Sequence, residues 1–319
     1  MPIVTLGEMP GFLAGHVESD EHMTGCHAIL CPGGMVAAVH APGFATGGRE
    51  TEALKPESLA ERIHAVVLCG GSAFGLAAAS GVAGFLRDRG IGLEVAPGIR
   101  VPIVAGAVIF DYPGNRSFGR MPDAEMGRAA AAAAFDGPRL PLGSGPLGAG
   151  KSARSGKLGG ELSSPSGVGS WGTRLPGGLG IAALAVVNPL GCVADPKTGR
   201  IVSGVRERDG RIAERARVLE LLGKLPGPGE VSFPRNTVLV AVATDAKLDK
   251  LGAARLARMA AAGIPRAIWP STLLGDGDTV FALSSCLGPA ADINFLGALA
   301  ADAVSRAILL SVPGFSESS

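Results

Sequence analysis

The chain has 319 residues, of which 47% are hydrophobic and 18% charged, so it can bury a large core as one domain or two closely packed ones. A formal net charge of +1, with one Tyr and two Trp, provides neither the basic surface nor the stacking rings of a nucleic-acid-binding protein, and we predict no nucleic-acid partner. The first residues lack a basic, apolar leader and no run reaches about 20 apolar residues, so neither a signal peptide nor a membrane partner is predicted.

The first predicted elements are two short strands, 28–31 and 35–39, which the intervening Pro-Gly-Gly would join as a β-hairpin. Residues 22–31 hold two Cys and two His, but Cys-x4-Cys without a second ligand pair fits no standard zinc spacing. We therefore predict no metal and no cofactor. The five cysteines are odd in number and dispersed, which indicates free thiols in a reducing compartment, the cytoplasm.

A strand, a tight turn and a helix are predicted next. Residues 65–69 form an apolar run, Gly70, Gly71 and Ser72 form the turn, and residues 73–89 form a helix that ends at a glycine. The serine has the position of a nucleophile elbow, but the second glycine of that pattern is missing and no histidine follows in the chain. A tight turn that brings helix and strand together is the better interpretation.

The middle of the chain contains a strand at 102–110 and an Ala-rich helix at 124–135, capped by Asp123. A Gly/Ser-rich stretch at 142–170 has no periodicity, which is typical of functional or disordered segments. Within it, residues 145–152 match the P-loop pattern G-x-x-x-x-G-K-[ST]. Because neither a strand before it nor a helix after it is predicted, nucleotide binding is a minor alternative.

The second half alternates strands with helices. We predict strands at 179–188, 200–205, 238–244 and 279–283, and helices at 212–222, from Asp249 onward, and at 294–310. Strands and hairpins interleaved with small-residue helices indicate sheets covered by helices, an α+β layered sandwich.

Asn236-Thr237 is the most informative pair of residues, since it lies between a Gly/Pro-rich segment at 224–230 and a buried strand. The Thr237 hydroxyl at the start of that strand could attack the Asn236 carbonyl, and hydrolysis of the ester would free an α-amine. Such an amine has a pKa of about 7.7–8.0 and can serve as the general base for its own hydroxyl. It needs no histidine, and all five histidines lie within the first 64 residues. The alternative is a turn that leads into a strand.

An acidic pair, Asp276 and Asp278, precedes the next strand. In an extended segment, side chains at i and i+2 point the same way. The pair could therefore orient an ammonium group at Thr237, as Asp orients the base of other triads. The alternative is a solvated turn.

These residues occur in the order found in peptidase family S58, also called the P1 or DmpA/BapA aminopeptidase family, which includes nylon-oligomer endohydrolases (NylC). The segments that carry the resemblance are Gly70–Leu76, Pro122–Glu125, Val186–Pro189, Asn236–Thr237 with Ala243–Asp245, and Asp276–Phe281. The resemblance implies a single αββα domain over 1–319, akin to Ntn hydrolases. It further implies cleavage at Asn236-Thr237 into an α-subunit (1–236) and a β-subunit (237–319), and a homo-oligomer, a tetramer of αβ units.

Site roles also follow from the resemblance. Asn188 corresponds to the oxyanion-hole amide and Lys157 to the active-site lysine of the nylon-hydrolase branch. Asp276 and Asp278 match that branch's Asp-x-Asp, and Phe110 stands where it has Tyr. Phe110 and the turn Gly70, Gly71 and Ser72 are predicted to bind substrate.

The resemblance implies a hydrolase with Thr237 as nucleophile, which cleaves small-molecule or oligomeric linear amides, such as 6-aminohexanoate oligomers, through an acyl-enzyme. One alternative is an aminopeptidase that releases N-terminal D-, L- or β-amino acids. Another is an acyltransferase like the ornithine acetyltransferases, which would pass the acyl group to an amine.

Overall fold

A computed structural model describes residues 3–112, 120–137, 142–225 and 236–315. The strands are β1 (Ile3–Val4), β2 (Leu13–Ser19), β3 (Thr24–His40), β4 (Gly48–Arg49), β5 (Ile63–Cys69), β6 (Leu93–Ala96), β7 (Ile99–Val101), β8 (Val104–Val108), β9 (Arg154–Ser155), β10 (Ser164–Pro165), β11 (Val168–Arg174), β12 (Gly180–Asn188), β13 (Cys192–Ala194), β14 (Ile201–Ser203), β15 (Thr237–Thr244), β16 (Ile268–Trp269) and β17 (Thr279–Ser284). The α-helices are α1 (Ala78–Arg87), α2 (Ala124–Asp136), α3 (Arg215–Leu222), α4 (Lys250–Ala261), α5 (Gly263–Ala267) and α6 (Ile293–Leu310).

Ten of these strands are linked through one long strand, β3. Their order is β1-β11-β12-β15-β17-β3-β5-β8-β4, with β2 paired to β3 as well. The β15–β17 and β5–β8 pairs are parallel, and the remaining neighbours along this path are antiparallel. The 36–40 end of β3 pairs with β17, whereas its 24–30 part pairs with β2 and β5. The strand thus belongs to two sheets.

The alternation of side chains along the strands shows how these sheets are layered. In β15, Val238, Val240 and Val242 pack with α4, α5 and α6, whereas Leu239 and Ala241 face the opposite way. The opposite faces of both sheets share one core, so the sheets pack face to face. The outer face of the β5 sheet packs on α1 and α2. Four layers result, α-β-β-α, which confirms the predicted sandwich.

The continuous apolar run of β15 is explained by this position, since both of its faces are buried. Each large aliphatic side chain buried in this way stabilises the fold by about 1.5–3 kcal/mol. The helix caps follow the predictions: Asp123 accepts a hydrogen bond from Met126 N at the start of α2, and Asp249 accepts one from Gly252 N at the start of α4.

The predicted hairpin at 28–31 and 35–39 is wrong, because both segments belong to the single strand β3. The residues Pro32 to Gly34, predicted as a turn, are accommodated as an irregularity, with a register shift against β5 between Leu30 and Met35. The predicted helix at 73–89 begins as a 3-10 helix (Ser72–Ala77) and becomes α-helical only from Ala78.

Within the described residues, α6 is one helix long and apolar enough to cross a membrane by length and composition. Its buried residues, among them Leu296, Ala300 and Val304, belong to the core beneath β12 and β15. This packing accounts for its apolar sequence without a bilayer.

Candidate active site

Thr237 is the first residue of β15, and its register partner is Asn188, the last residue of β12. The alternation of side chains directs both residues towards the space between the two sheets, the side on which Leu239 and Val186 lie. Both are buried. The antiparallel pairing therefore brings together two residues that are far apart in sequence, the predicted nucleophile and the predicted oxyanion donor.

The carbonyl between Asn236 and Thr237 is held by two hydrogen bonds. Thr237 Oγ1 donates to the Asn236 carbonyl oxygen at 2.5 Å, and Gly277 N donates to the same oxygen at 2.8 Å. The glycine is required here, because a Cβ atom at residue 277 would lie 2.8 Å from Thr237 Oγ1 and 2.6 Å from the Ala45 carbonyl oxygen. A hydroxyl and a polarised carbonyl thus meet at the proposed cleavage point. Residues 226–230 of the predicted Gly/Pro-rich approach lie outside the described residues.

The acidic pair is buried rather than solvated. Asp276 and Asp278 are each 2% exposed, so the alternative of a solvated turn is wrong. Asp278 Oδ1 accepts a hydrogen bond from Val238 N at 2.8 Å, and Asp276 Oδ2 accepts one from Leu273 N at 2.8 Å. Asp276 Oδ1 is buried and makes no hydrogen bond of normal geometry with the described residues, although the Leu190 N–H interacts with this carboxyl group. Asn236, the strand-bridge partner of Asp276, likewise has a buried side-chain oxygen without a described partner.

Burial also changes the acidity of the pair. Desolvation, and secondly the neighbouring Asp276 carboxyl, raise the pKa of Asp278 to about 7, against the opposing hydrogen bond from Val238 N. Desolvation raises the pKa of Asp276 too, although the Leu273 N–H, the Lys157 ammonium and the Leu190 N–H oppose that rise. Two predicted site residues, Lys157 and Asp276, thus interact electrostatically.

The Asn188 side chain is held by backbone groups on both sides. Its Oδ1 accepts a hydrogen bond from Arg154 N at 3.2 Å, and its Nδ2 donates to the Phe110 carbonyl oxygen at 2.8 Å. The side-chain amide has two N–H donors, and the Phe110 carbonyl takes one of them. Lys157 Nζ reaches the same Phe110 carbonyl at 3.5 Å. The structure therefore groups Asn188, Lys157 and the backbone of Phe110.

The turn Gly70, Gly71 and Ser72 is hydrogen-bonded to the two residues that flank Phe110 in the sequence. Gly71 N donates to Asp111 Oδ1 at 3.0 Å, and Ser72 N donates to the Ile109 carbonyl oxygen at 2.9 Å. Thr24 Oγ1 donates to the other oxygen of the same buried Asp111 carboxylate at 2.6 Å. The turn thus lies at the end of β8 that carries Phe110, and its substrate-binding role stays a prediction.

The P-loop-like segment 145–152 is not a phosphate cradle. It contains a 3-10 turn (Gly148–Gly150) and is followed by the short strand β9 instead of a helix. Its N–H groups are directed to protein acceptors: Gly148 N donates to Glu18 Oε2 at 3.0 Å, and Ala149 N donates to His27 Nδ1 at 3.2 Å. Burial, and secondly His16, lower the pKa of His27 to about 3, so its imidazole is neutral and can accept. The alternative of nucleotide binding at this loop is therefore wrong.

Sequence reasoning missed two parts of the site. Residues 43–45 are hydrogen-bonded to the backbone of the acidic pair, and Arg154 holds Asn188 through its main-chain N–H. Both contacts use backbone groups, so residue identity gave no signal for them.

Known proteins of similar sequence indicate the family of this chain. The model of peptidase family S58 matches residues 5–314. An uncharacterized aminopeptidase of Mycobacterium tuberculosis is 38% identical over 306 residues, which cover 90% of this chain and 85% of that protein. A 6-aminohexanoate-oligomer endohydrolase of Paenarthrobacter ureafaciens is 31% identical over 286 residues, 87% of this chain and 74% of that protein.

Two solved structures share the fold. A β-aminopeptidase of Burkholderia sp. superposes with a TM-score of 0.66 at 20% identity, covering 96% of this chain and 85% of that one. The L-aminopeptidase D-Ala-esterase/amidase of Ochrobactrum anthropi, described as a variant of the Ntn hydrolase fold, superposes with a TM-score of 0.62 at 16% identity and covers 98% and 88%. The chain therefore belongs to peptidase family S58, with an Ntn-hydrolase fold and hydrolytic activity on amide bonds.

Proposed function

We propose that the chain cleaves itself between Asn236 and Thr237 and then works as an N-terminal-threonine hydrolase of linear amides or short oligoamides. The observation that carries the proposal is the 2.5 Å contact of Thr237 Oγ1 with the Asn236 carbonyl oxygen, in a buried site beside two carboxyl groups. Intact-mass spectrometry of the purified protein tests it directly. We expect two chains, 1–236 and 237–319, and a single full-length mass in an active preparation would contradict the proposal.

In the self-cleavage step, Thr237 Oγ1 attacks the Asn236 carbonyl carbon and loses its proton to a base. The new C–O bond replaces the C–N bond, and the proton passes to the departing Thr237 nitrogen. The oxyanion that develops on the way is stabilised by the Gly277 N–H, already 2.8 Å from that oxygen. Water then hydrolyses the ester and leaves an Asn236 carboxylate and a free Thr237 α-amine.

In the catalytic cycle the free amine takes the hydroxyl proton of Thr237 while Oγ1 attacks the substrate amide. Asn188 Nδ2 donates its second hydrogen to the oxyanion. The protonated amine then gives its proton to the leaving nitrogen, and water hydrolyses the acyl-enzyme. Asp276 Oδ1, which makes no hydrogen bond of normal geometry, can accept one from the α-ammonium of Thr237. The ammonium would thereby remove the energetic cost of leaving a buried oxygen unsatisfied.

The kind of substrate is proposed from the relatives, among which are 6-aminohexanoate-oligomer endohydrolases. The rival function, release of N-terminal amino acids, is favoured by the same Asp276 Oδ1, because this oxygen could bind a substrate ammonium instead of the Thr237 amine. Acyl transfer to an added amine, measured as an amide product in place of the free acid, would favour the acyltransferase alternative.

Acetylation of the substrate separates endo- from exo-cleavage. We expect a linear 6-aminohexanoate oligomer to be cleaved even after its amino end is acetylated, because the acidic pair would be engaged by Thr237 and unavailable to the substrate amine. Mass spectrometry of the fragments provides the measurement. Release of one residue at a time from free-amine oligomers only, with acetylated ones untouched, would establish the aminopeptidase alternative.

The raised pKa of Asp278 predicts a pH-dependent stability of the uncleaved protein, studied as Thr237→Ala. Folded Asp278 has a pKa of about 7, whereas an unfolded Asp titrates near 3.9. Between these values the folded state keeps a proton that the unfolded state has lost, so stability falls as the pH rises from about 4 to 7 and then levels.

The free energy of unfolding should fall by at most about 4 kcal/mol, the value of a difference of three pKa units. Urea midpoints at pH 5 and pH 8 measure it. The double variant Thr237→Ala/Asp278→Asn should show a smaller difference between the two pH values, because an amide does not titrate. The same difference in both variants would show that Asp278 titrates normally.

A further inference from the structure

Residues 43–45 form a strip that is fastened to the acidic pair. Phe44 N and Ala45 N both donate to the Asp276 carbonyl oxygen, at 2.8 and 3.0 Å, and Gly43 N donates to the Asp278 carbonyl oxygen at 3.3 Å. These bonds fix the strip by its backbone and leave its side chains free to point elsewhere. The Phe44 ring is 69% exposed and belongs to none of the described hydrophobic cores.

The strip also borders the nucleophile. A Cβ atom built at Gly277 would lie 2.6 Å from the Ala45 carbonyl oxygen and 2.8 Å from Thr237 Oγ1. Both oxygens therefore border the same small space beside Gly277. Phe44 precedes the Ala45 carbonyl by one peptide unit. An amide that approaches the Thr237 hydroxyl therefore has residues 43–45 at its side.

Other exposed apolar groups stand on both sides of the site. Leu274 is 82% exposed, and its neighbour Leu273 donates its N–H to Asp276. On the Asn188 side, Tyr112 is 43% exposed, and its ring lies 6.1 Å from the partly buried ring of Phe110, edge to face. Large apolar side chains that remain exposed around a polar centre are typical of ligand sites, where they take up the apolar part of a ligand.

We propose that Phe44, with Leu274, is a specificity-determining residue: its ring takes up an uncharged, extended hydrocarbon chain next to the cleaved amide. The inference rests on the proposed function, since it places the chain relative to Thr237 as nucleophile. It assigns a residue to the aliphatic chain that the proposed oligoamide substrates carry beside the cleaved bond. Substrate chains interrupted by ether oxygens should bind little more tightly for the presence of the Phe44 ring, because they bury less apolar surface on it.

The test compares two chromogenic amides, hexanoyl-4-nitroanilide and its analogue with two methylenes replaced by ether oxygens. Phe44→Ala should lower kcat/KM for the hexanoyl amide roughly 10- to 100-fold, the value of burying one large apolar group. The ether analogue should change little, and Phe44→Leu should retain most of the hexanoyl activity. Phe295→Ala, which removes a half-exposed ring on α6, is the matched control and should leave both activities unchanged.

The outcomes are distinguishable. A wild type that is neither processed nor active on any amide would remove the proposed function, and this inference with it. A processed, active wild type in which Phe44→Ala lowers both substrates equally, or neither, would overturn the subsite alone. A change in oligomer size of Phe44→Ala by size-exclusion chromatography, without selective loss on the hexanoyl amide, would show that the ring contacts another subunit and would also overturn it.

Discussion

Replacing Thr237 by alanine is expected to leave one full-length, inactive chain. The variant lacks the oxygen that lies 2.5 Å from the Asn236 carbonyl oxygen, so no ester can form and no α-amine is released. Amide hydrolysis should fall by roughly 10³-fold or more, because nucleophile and base are lost together. Intact mass and hydrolysis of a 6-aminohexanoate oligomer measure the two effects.

Two controls separate chemistry from folding. Thr237→Ser keeps the hydroxyl and should still be processed and active. Thr279→Ala removes a comparable buried hydroxyl at the start of the parallel neighbour β17, where Thr279 Oγ1 donates to the Gly277 carbonyl oxygen at 3.1 Å. This variant should still yield the 237–319 chain. A Thr237→Ala protein that is cleaved at the same bond, or that keeps normal activity, would exclude Thr237 as the nucleophile.

Much of the fold could be predicted because local signals and tertiary packing agree. Asp123 and Asp249 cap the helices that follow them, and the run of β15 is apolar because both faces of that strand are buried. The prediction failed at β3, where Pro32 and two glycines resemble a turn. Long-range pairing with β5 and β17 overrides that local signal and keeps one strand.

The site was predictable only where side-chain identity carries the chemistry. Thr237, Asn188 and the two aspartates have residue types that the proposed reaction needs, and the strand register brings the first two together. The sequence alone left the burial of the acidic pair open, because an Asp-Gly-Asp segment is also typical of solvated turns. The Gly277 N–H and the strip 43–45 act through main-chain groups, which any sequence supplies, so their roles depend on the tertiary structure.

The acidic pair is expected to show the second large effect. Asp276→Asn and Asp278→Asn should each lower kcat by roughly 10²-fold or more, the scale of losses in general-base catalysis. Each substitution keeps the shape of the side chain but removes the negative charge that would orient the Thr237 ammonium. The amide in Asp278→Asn keeps an oxygen that can accept the hydrogen bond from Val238 N, so the start of β15 should be retained and the loss of kcat should report the lost charge.

The comparison of free and acetylated oligomers gives each carboxyl group its role. If one aspartate binds the substrate's ammonium, its replacement should raise KM for free-amine oligomers and leave turnover of acetylated ones unchanged. If it orients Thr237, kcat should fall for both kinds of substrate. Asp245→Asn is the matched control, since Asp245 is equally buried and accepts from Gly180 N at 2.8 Å, but follows the opposite end of β15. Near-normal kinetics in both Asp276→Asn and Asp278→Asn would show that the pair is structural. The Thr237 amine would then act as the general base without a carboxylate to orient it.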